Sequence, residues 1–418
     1  MSKSSRLFGK FLSNYLDQPE KFRRYLSMGL SFELFKRKNF PDKKKPSFVA
    51  SINHLAVYEV YQAVRGNNSV WVNLLAPSEI LIAAGLNPVS AEGIAGTMSA
   101  MHLEGYAIEL SMSEGVTPSL CTFHRCSLGT AIWKSFPKPL FTMTTSVLCD
   151  GNAGTFHSIA KAYGVPFFMI DVPRGRKREY VPYVEKQLRE LITFVEEITG
   201  QTYNMNRLSE ILEIEEETRK NLLQARKKLA EKVIPFEVYE HMNTLYVLHT
   251  LVGDERLLEA SNRFLSDFDR EWQDPEKRVL WLHIPPYYDN ELFELFSPYG
   301  KVSVVSSELW WDWVYPLNPK DPIRSLAEKL VFNIENGTVE ERGNFLIKLS
   351  EELKVDAVVH FSHWGCRQSS GAVGYLKKQF IEKEIPFLSL DGDCVDHTAE
   401  SAGQFSTRVK AFFEMLGV

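Results

Sequence analysis

The strongest constraint on the fold is an alternation of short β-rich runs with helix-like segments, which occurs in two separate parts of the chain. In the first part, the runs at 69–75, 141–148 and 165–172 are apolar and rich in β-branched or aromatic residues. Residues 152–163, between the second and third runs, have the pattern of a helix. Parallel strands joined by helices produce this alternation, so the sequence predicts an α/β fold.

The alternation returns after residue 276, with strand-like runs at 279–284, 302–306, 357–361 and 386–390. Residues 1–65 and 181–270 instead read as helices, because apolar residues recur at helical spacing among charged ones. We therefore expect a helical N-terminal segment at 1–66, a first α/β lobe at 67–180, a helical connector at 181–275 and a second α/β lobe at 276–418.

The composition indicates a globular protein with more than one core. The chain has 418 residues, of which 44% are hydrophobic and 24% are charged. It contains no apolar run of about 20 residues, so we expect no membrane span. Its N-terminus lacks the apolar stretch of a secretory signal, and its net charge of −5 argues against a nucleic-acid partner. We therefore expect a cytoplasmic protein.

The cysteines carry the clearest chemical signal. We expect all five to lie in loops or at the ends of elements, on one face of the fold: Cys121, Cys126, Cys149, Cys366 and Cys394. Three of them follow predicted strands, and the carboxyl ends of parallel strands are where ligands collect. So many thiols in an intracellular chain favour a metal cluster over disulfides. Zinc is less favoured, because the successive spacings of 5, 23, 217 and 28 residues contain no C-x-x-C pair.

Other chemistries have little support in the sequence. The chain has neither a Walker A motif nor a G-x-G-x-x-G motif, so we expect no nucleotide site of its own. It also lacks the G-x-S-x-G elbow of α/β-hydrolases. Cys366 and His363 would suit a nucleophilic pair, although no second feature supports one. We interpret Trp310-Trp311-Asp312-Trp313 as core or interface packing rather than as the wall of a substrate pocket.

A series of short motifs runs in order from about residue 69 to residue 416. The motifs are Pro77-Ser78-Glu79-Ile80-Leu81, Ala84-Gly85-Leu86, Pro88-Val89, Cys121-Thr122-Phe123-His124-Arg125, Cys149-Asp150-Gly151, Gly164-Val165-Pro166, Asp171-Val172-Pro173, Cys366 and Gln404-Phe405-Ser406-Thr407-Arg408. Together they resemble the 2-hydroxyacyl-CoA dehydratase and benzoyl-CoA reductase superfamily.

The resemblance implies two flavodoxin-like lobes with an iron–sulfur cluster in the cleft between them. The family holds its cluster through three cysteines, which match Cys121, Cys149 and Cys366. A separate ATP-hydrolysing activator protein, which carries its own 4Fe-4S cluster, supplies low-potential electrons. ATP would therefore bind only to that partner, which agrees with the missing nucleotide motif.

Two branches of the superfamily fit the chain. In the dehydratases, two unlike subunits work together, and one 4Fe-4S cubane with an open iron reduces a 2-hydroxyacyl-CoA thioester to a ketyl radical that expels hydroxide. In the other branch, homodimers reduce small molecules at an 8Fe-9S double cubane.

The additional cysteines Cys126 and Cys394 favour the double cubane, which we expect here, with the dehydratase as the alternative. A double cubane takes about six thiolates, so a sixth ligand would be of another kind. Leu74 stands three positions before Pro77, where some dehydratases place a serine, and this difference also favours the double-cubane branch.

The resemblance also implies residues that act beside the cluster. Glu92 aligns with an acid near the substrate in some dehydratases, and a surface carboxylate is its alternative interpretation. N–H donors to cluster sulfur or to a reduced substrate would raise the reduction potential or deliver protons. The candidates are His124, Arg125, His363, Arg367 and Gln368. The alternative interpretation of Arg125 and Arg367 is that they form surface ion pairs. The alternative function of the whole chain is that of a non-catalytic subunit that holds a structural cluster.

Overall fold

A computed structural model of the chain describes residues 3–399 and 403–418. Within these ranges, eight strands form two four-stranded parallel sheets. The strands are β1 (Ser69–Val72), β2 (Asn87–Ser90), β3 (Phe141–Thr145), β4 (Phe167–Ile170), β5 (Lys277–Leu282), β6 (Val302–Ser307), β7 (Ala357–His363) and β8 (Phe387–Gly392). Two parallel sheets interleaved with helices confirm the predicted α/β fold with two flavodoxin-like lobes.

Helices cover both sheets and form the N-terminal and central segments. The helices of the first half are α1 (Lys3–Leu12), α2 (Pro19–Asn39), α3 (Ser47–Arg65), α4 (Ser78–Ala83), α5 (Ala91–Ala100), α6 (Glu104–Ser113), α7 (Thr122–Trp133), α8 (Gly151–Tyr163) and α9 (Val181–Thr199). Those of the second half are α10 (Met205–Leu229), α11 (Val238–Thr250), α12 (Glu255–Asp267), α13 (Leu292–Leu295), α14 (Pro322–Val331), α15 (Val339–Glu352), α16 (Arg367–Glu382) and α17 (Gln404–Met415). Among the described residues, none of these helices combines the length and apolar character needed to cross a membrane.

The two sheets have the same strand order. The first runs β2-β1-β3-β4 and the second runs β6-β5-β7-β8, so in each lobe the first strand lies between the second and the third. Such a reversal in the order in which strands are added to a parallel sheet opens a crevice at the carboxyl ends of the two central strands. The crevices of the two lobes are therefore formed by equivalent loops, after β1 and β3 in one lobe and after β5 and β7 in the other.

Strand β2 was missed by the sequence analysis. Its four residues, Asn87-Pro88-Val89-Ser90, pair only with β1, with Val89 opposite Trp71. A proline lacks the N–H that a central strand needs, so it suits an edge strand such as this one. The run is also too short and too polar to give a strand signal of its own.

A hydrophobic core joins the two lobes. Trp71 of the first sheet and Trp281 and Phe361 of the second belong to one continuous cluster of buried side chains. Two further clusters lie on the outer faces of the sheets. Since the central strands are buried on both faces, their near-continuous apolar sequences follow from the architecture.

Helices α10 and α14 bind the lobes together on the outside. Leu208 at the start of α10 packs in the core of the first lobe, whereas Leu222 farther along it packs in the core of the second. Helix α14, between β6 and β7, packs on the first lobe. Its Lys329 forms buried ion pairs with Glu79 at 2.6 Å and Glu215 at 2.5 Å, which hold α14 against α4 and α10.

The close contact between α6 and α7 gives a test of the packing. A methyl group added at Gly129 in α7 would overlap the Ala107 carbonyl in α6. We expect Gly129→Ala to lower the free energy of unfolding by about 1–3 kcal/mol. Gly105→Ala is the matched control, because a methyl group there meets no atom within 4 Å. Denaturant titration of both variants measures the difference, and an equal stability of the two variants would contradict this packing.

Candidate functional site

A cavity of about 120 Å³ lies between the carboxyl ends of the two sheets. One water molecule needs about 10–15 Å³ by the same measure, so the cavity has room for a much larger group. Cys121, Cys149 and Cys366 all line it. Cys149 lies in the loop that follows β3, Cys366 lies in the loop that follows β7, and Cys121 directly precedes α7. The fold therefore brings together three cysteines that are far apart in the sequence.

Each of the three thiols lies at the N-terminus of a helix. Cys121 is the N-cap of α7, Cys366 is the N-cap of α16, and Cys149 precedes Asp150, the N-cap of α8. The positive end of the helix dipole and the free backbone N–H groups stabilise negative charge at these positions. Three helix N-termini therefore favour thiolates around the same cavity.

A histidine accompanies each of the three thiols. The Sγ atom of Cys121 lies 3.1 Å from Nε2 of His363, and that of Cys149 lies 3.2 Å from Nε2 of His124. The Sγ atom of Cys366 lies 3.5 Å from Nε2 of His283. The structure thus places two of the predicted histidines, His124 and His363, at the thiols and adds a third.

The hydrogen-bond partners of the other ring nitrogens fix two of the tautomers. The N–H of Cys394 donates to Nδ1 of His363 at 3.0 Å, so the ring proton is on Nε2 and is donated to Cys121. His283 has the opposite arrangement, because its Nδ1–H donates to the Phe361 carbonyl at 3.0 Å. Its Nε2 therefore accepts from the Cys366 thiol. Burial lowers the pKa of both His363 and His283 to about 3, which keeps the rings neutral.

Burial opposes ionisation of the thiols. It raises the pKa of Cys149 to about 11 and raises those of Cys121 and Cys366 as well. The coulombic effect of Cys366 further raises the pKa values of both Cys121 and Cys149. Thiolates in this cavity therefore need a positive charge beyond that of the helix dipoles, and a bound metal centre supplies such a charge.

Glu92 lies on the wall of the cavity that the first lobe provides. Its Oε1 accepts the N–H of Leu74 at 3.3 Å, and its Oε2 accepts the Ser90 hydroxyl at 3.0 Å. Burial is the largest influence on this carboxyl and raises its pKa. The structure thus places Glu92 and Leu74, both singled out from the sequence, in contact with each other at the cavity.

Arg342, which belongs to a buried ion pair, also lines the cavity. Arg342 donates two hydrogen bonds to Glu308, at 2.6 and 2.8 Å, while its Nε is 3.7 Å from Oε1 of Glu335. Glu308 also accepts the backbone N–H of His283 at 3.0 Å, which supports a residue held at φ +62°. Burial raises the pKa of Glu335 to about 8; the nearby Arg342 lowers this pKa, but the charge of Glu308 raises it again.

Three other predicted residues do not line the cavity. Arg125 turns away from it and donates to the Leu120 carbonyl at 2.9 Å and to the Thr122 hydroxyl at 3.0 Å. Arg367 is exposed at the start of α16. Gln368 lines a separate outer groove. The geometry therefore gives no support for a direct role of these three side chains at the cavity.

Cys126 and Cys394 lie beside the cavity rather than on its wall. The prediction that all five cysteines lie in loops or at element ends is wrong for Cys126, which is inside α7 and fully buried in the shared core. The sequence placed it at the start of a helix, but α7 begins four residues earlier. Cys394 follows β8 and donates its S–H to the Ile284 carbonyl at 3.3 Å. Whether either binds a cluster stays a prediction.

The sequence analysis missed His283, Glu335 and Arg342. His283 had an available signal, because it lies at the carboxyl end of a predicted strand, where Cys149, Cys366 and Cys394 were also selected. Glu335 and Arg342 had none, because they belong to helical segments whose orientation toward the cavity depends on packing. The Trp310–Trp313 run is buried as expected, but its Asp312 reaches the cavity wall.

Comparison with known proteins identifies the family. Residues 73–416 match the family described as 2-hydroxyglutaryl-CoA dehydratase, D-component. The match covers well over half of the chain, and the chain therefore belongs to this family. It confirms the family predicted from the sequence motifs.

Individual relatives are distant but cover most of the chain. The chain is 24% identical to the alpha subunit of (R)-phenyllactyl-CoA dehydratase from Clostridium sporogenes, over 91% of this chain and 98% of that protein. It is 24% identical to the alpha subunit of (R)-2-hydroxyglutaryl-CoA dehydratase from Acidaminococcus fermentans, over 68% of this chain and 61% of that protein. It is 21% identical to a subunit of benzoyl-CoA reductase from Thauera aromatica, over 72% of this chain and 78% of that protein. The chain is thus an enzyme of the dehydratase and reductase kind, as predicted.

The buried carboxyl of Glu335 gives a pH-dependent test of the site. Burial raises its pKa from 4.5 to about 8, so its contribution to stability is full below 4.5 and is lost as the pH rises through 8. Glutamine stays neutral throughout. We therefore expect the melting temperature of Glu335→Gln, compared with that of the wild type at the same pH, to be more favourable at pH 8 than at pH 5. Between these pH values, the difference in unfolding free energy between the two proteins should change by about 1–4 kcal/mol in favour of the variant.

The control for this experiment is Glu414→Gln, at an exposed position in α17. Its melting temperature relative to the wild type should not change over the same pH range. A constant difference for Glu335→Gln would contradict the assignment of a buried, protonated carboxyl.

Proposed function

We propose that the chain is the iron–sulfur component of an enzyme that reduces or dehydrates an acyl-CoA thioester. A 4Fe-4S cubane would be held by Cys121, Cys149 and Cys366. The observation that carries this proposal is the convergence of these three thiols, from both lobes, on one cavity at three helix N-termini. Membership of the dehydratase family supports it independently.

The spacing of the thiols favours a polynuclear cluster over a single ion. In the described ranges, 3–399 and 403–418, the one group of three ligand atoms within 4.8 Å of each other is Glu104, Asp396 and His397. The three cavity thiols are therefore too far apart to share one zinc ion with bonds of about 2.3 Å. A cubane spreads its cysteine ligands over different irons, and this agrees with the wider spacing.

Protein groups around the thiols would tune such a cluster. A bound cubane supplies single electrons at low potential, and hydrogen bonds to its sulfur ligands raise that potential. His363 is the clearest donor, because its Nε2–H points to Cys121. The electrons would come from a separate ATP-hydrolysing activator protein, as the family resemblance implies.

The cavity also suits an acyl group. Many of its lining side chains are apolar, among them Leu74, Leu245 and Ile284. Two relatives are named as dehydratases of (R)-2-hydroxyacyl-CoA thioesters, and one as a reductase of benzoyl-CoA. Loss of a hydroxyl group requires a proton, which a protonated Glu92 at the wall would donate to the departing oxygen. Subunits named alpha and beta among the relatives favour an unlike partner subunit.

A double cubane in a homodimer is the second candidate. Cys394 favours it: burial and Asp393 raise the pKa of this thiol most, and Cys121 and Cys366 are close enough to raise it further. Its S–H is directed to the Ile284 carbonyl, however, so it would have to turn toward the cavity to bind iron.

Iron and acid-labile sulfide per chain distinguish these possibilities. For the anaerobically purified wild type we expect about four irons and about four sulfides, and a double cubane would give about eight and nine. Cys121→Ser, Cys149→Ser and Cys366→Ser should each lose most of the iron, because each removes one of three thiolates.

Cys126→Ser and Cys394→Ser are matched controls, and both should keep about four irons if a single cubane is present. Loss of iron in Cys394→Ser, together with about eight irons in the wild type, would replace the single cubane by the double one. Iron-free wild-type protein after anaerobic reconstitution would overturn the cluster proposal.

Glu92→Gln tests the proton donor. We expect turnover of (R)-phenyllactyl-CoA or (R)-2-hydroxyglutaryl-CoA, measured with activator and ATP, to fall about 10²–10⁴-fold, because glutamine has no acidic proton. The iron content should be unchanged. Turnover close to that of the wild type with either thioester would exclude Glu92 as the acid for that substrate.

A further inference from the structure

A second cavity, with a volume of about 70 Å³, adjoins the cavity that the three thiols line. We call it the rear cavity and define it by its polar lining residues, which are Glu59, Ser90, Thr97, Asn243, Tyr246 and Tyr287. Tyr246 lines both cavities. Ser90 lines the rear cavity, and its hydroxyl donates at 3.0 Å to Glu92, which lines the cavity of the thiols. This hydrogen bond therefore connects the two spaces.

The rear cavity is suited to water. One water molecule needs about 10–15 Å³ by the same measure, so the rear cavity has room for roughly five. Empty cavities in proteins have apolar walls, whereas the hydroxyl, amide and carboxyl groups here offer hydrogen-bond partners to water. A short chain of water molecules therefore fits inside it.

The Ser90 hydroxyl lies next to free space on the side of the rear cavity. Ser90 is the N-cap of α5, and its Oγ accepts the N–H of Gly93 at 3.0 Å. A serine oxygen accepts two hydrogen bonds and donates one, so one acceptor position remains after the bonds with Gly93 and Glu92. A Cβ atom on Gly93 would lie 3.6 Å from Ser90 Oγ, with Ser90 Cβ as its nearest side-chain neighbour at 3.4 Å. A water molecule in this space can donate to Ser90.

Glu59 of α3 links the rear cavity to the surface. It lines the cavity and is partly exposed. Burial raises its pKa to about 8, while the hydroxyl of Thr250, which donates to it, and the charge of Arg256 lower this pKa and Asp254 raises it. A carboxyl with a pKa close to the working pH can release a proton and take one back from solvent.

We propose that water in the rear cavity returns a proton to Glu92 from the solvent side through Glu59 and Ser90. Glu59 releases its proton to the first water molecule, and the last one gives a proton to Ser90 Oγ while the Ser90 hydroxyl passes its own to Glu92. Glu59 then takes a proton from bulk water, so one proton moves from solvent to Glu92. A substrate in the cavity of the thiols would separate Glu92 from solvent on that side. The relay rests on the proposed function, because it requires Glu92 to be the proton donor.

Gly93→Ala tests the relay without removing any group that carries the proton. Its methyl group would occupy the space beside Ser90 Oγ, and alanine forms helices better than glycine, so the fold should be retained. We expect turnover of (R)-phenyllactyl-CoA or (R)-2-hydroxyglutaryl-CoA, with activator and ATP, to fall about tenfold at unchanged KM, less than the roughly 10²–10⁴-fold effect of a lost proton donor. The ratio of turnover in ordinary water to that in heavy water should rise, because the return of the proton becomes rate-limiting.

Gly105→Ala is the matched control, because it adds the same methyl group in helix α6, where that group meets no atom within 4 Å. Its turnover and isotope ratio should equal those of the wild type. Ser90→Gly removes the hydroxyl but keeps a residue that is accepted at an N-cap, so it should share the defect of Gly93→Ala. Ser90→Thr supplies a hydroxyl again and should recover most of that loss. Glu59→Gln has no acidic proton and should also slow turnover and raise the isotope ratio.

A crystal structure of the wild type provides a measurement that does not depend on turnover. Ordered water should lie within hydrogen-bond distance of Ser90 Oγ in the rear cavity, and it should be missing from that position in Gly93→Ala. A rear cavity without ordered water in the wild type would overturn the relay.

The kinetic outcomes separate the relay from the proposed function. Wild-type turnover and isotope ratio in Gly93→Ala and Ser90→Gly would overturn the relay alone, as would an equal loss of turnover in Gly105→Ala. Failure of the wild type to turn over either thioester would overturn the proposed function, and the relay with it.

Discussion

The candidate site depends on one close contact between the two lobes. Gly365, in the loop after β7, has φ +81°, and a Cβ atom there would lie 2.8 Å from both the N and Cα atoms of Cys121. Only glycine can adopt this backbone conformation at this distance. The contact brings Cys366 beside Cys121 and sets how far apart the two sheets stand. The cavity, its thiols and its histidines all follow from that approach.

Burial and nearby charges together determine which groups around the cavity are ionised. Burial disfavours charge on the three thiols and on the carboxyls of Glu92 and Glu335, while three helix N-termini and Arg342 favour negative charge. Because Arg342 serves Glu308, the neighbouring Glu335 is left as a neutral acid. Two carboxyls with raised pKa values, Glu92 and Glu335, therefore line the same space as the thiols and the neutral histidines. This combination suits chemistry in which electrons and protons are delivered to the same substrate.

Much of the fold could be predicted from local patterns. The strand-like runs correspond to seven of the eight described strands, because parallel strands buried on both faces carry apolar sequences. Strand β2 escaped because an edge strand of four residues beginning with Asn87-Pro88 has no such pattern. Cys121, Cys149 and Cys366 could be selected from motif order and strand ends, and they do meet at one cavity. Cys126 was misplaced, because the sequence does not show which side of α7 faces the core.

The sequence alone determined the elements, the family and the thiols at the ends of strands, since these depend on neighbouring residues and on motif order. Tertiary structure decided which groups face each other across the lobes. It brought His283 to Cys366, Arg342 to Glu308 and Glu335 to the cavity that the thiols line, although these residues are separated by dozens of positions in the chain. It also decided their protonation, because desolvation and the sharing of one cation between two carboxylates arise only when the lobes are packed together.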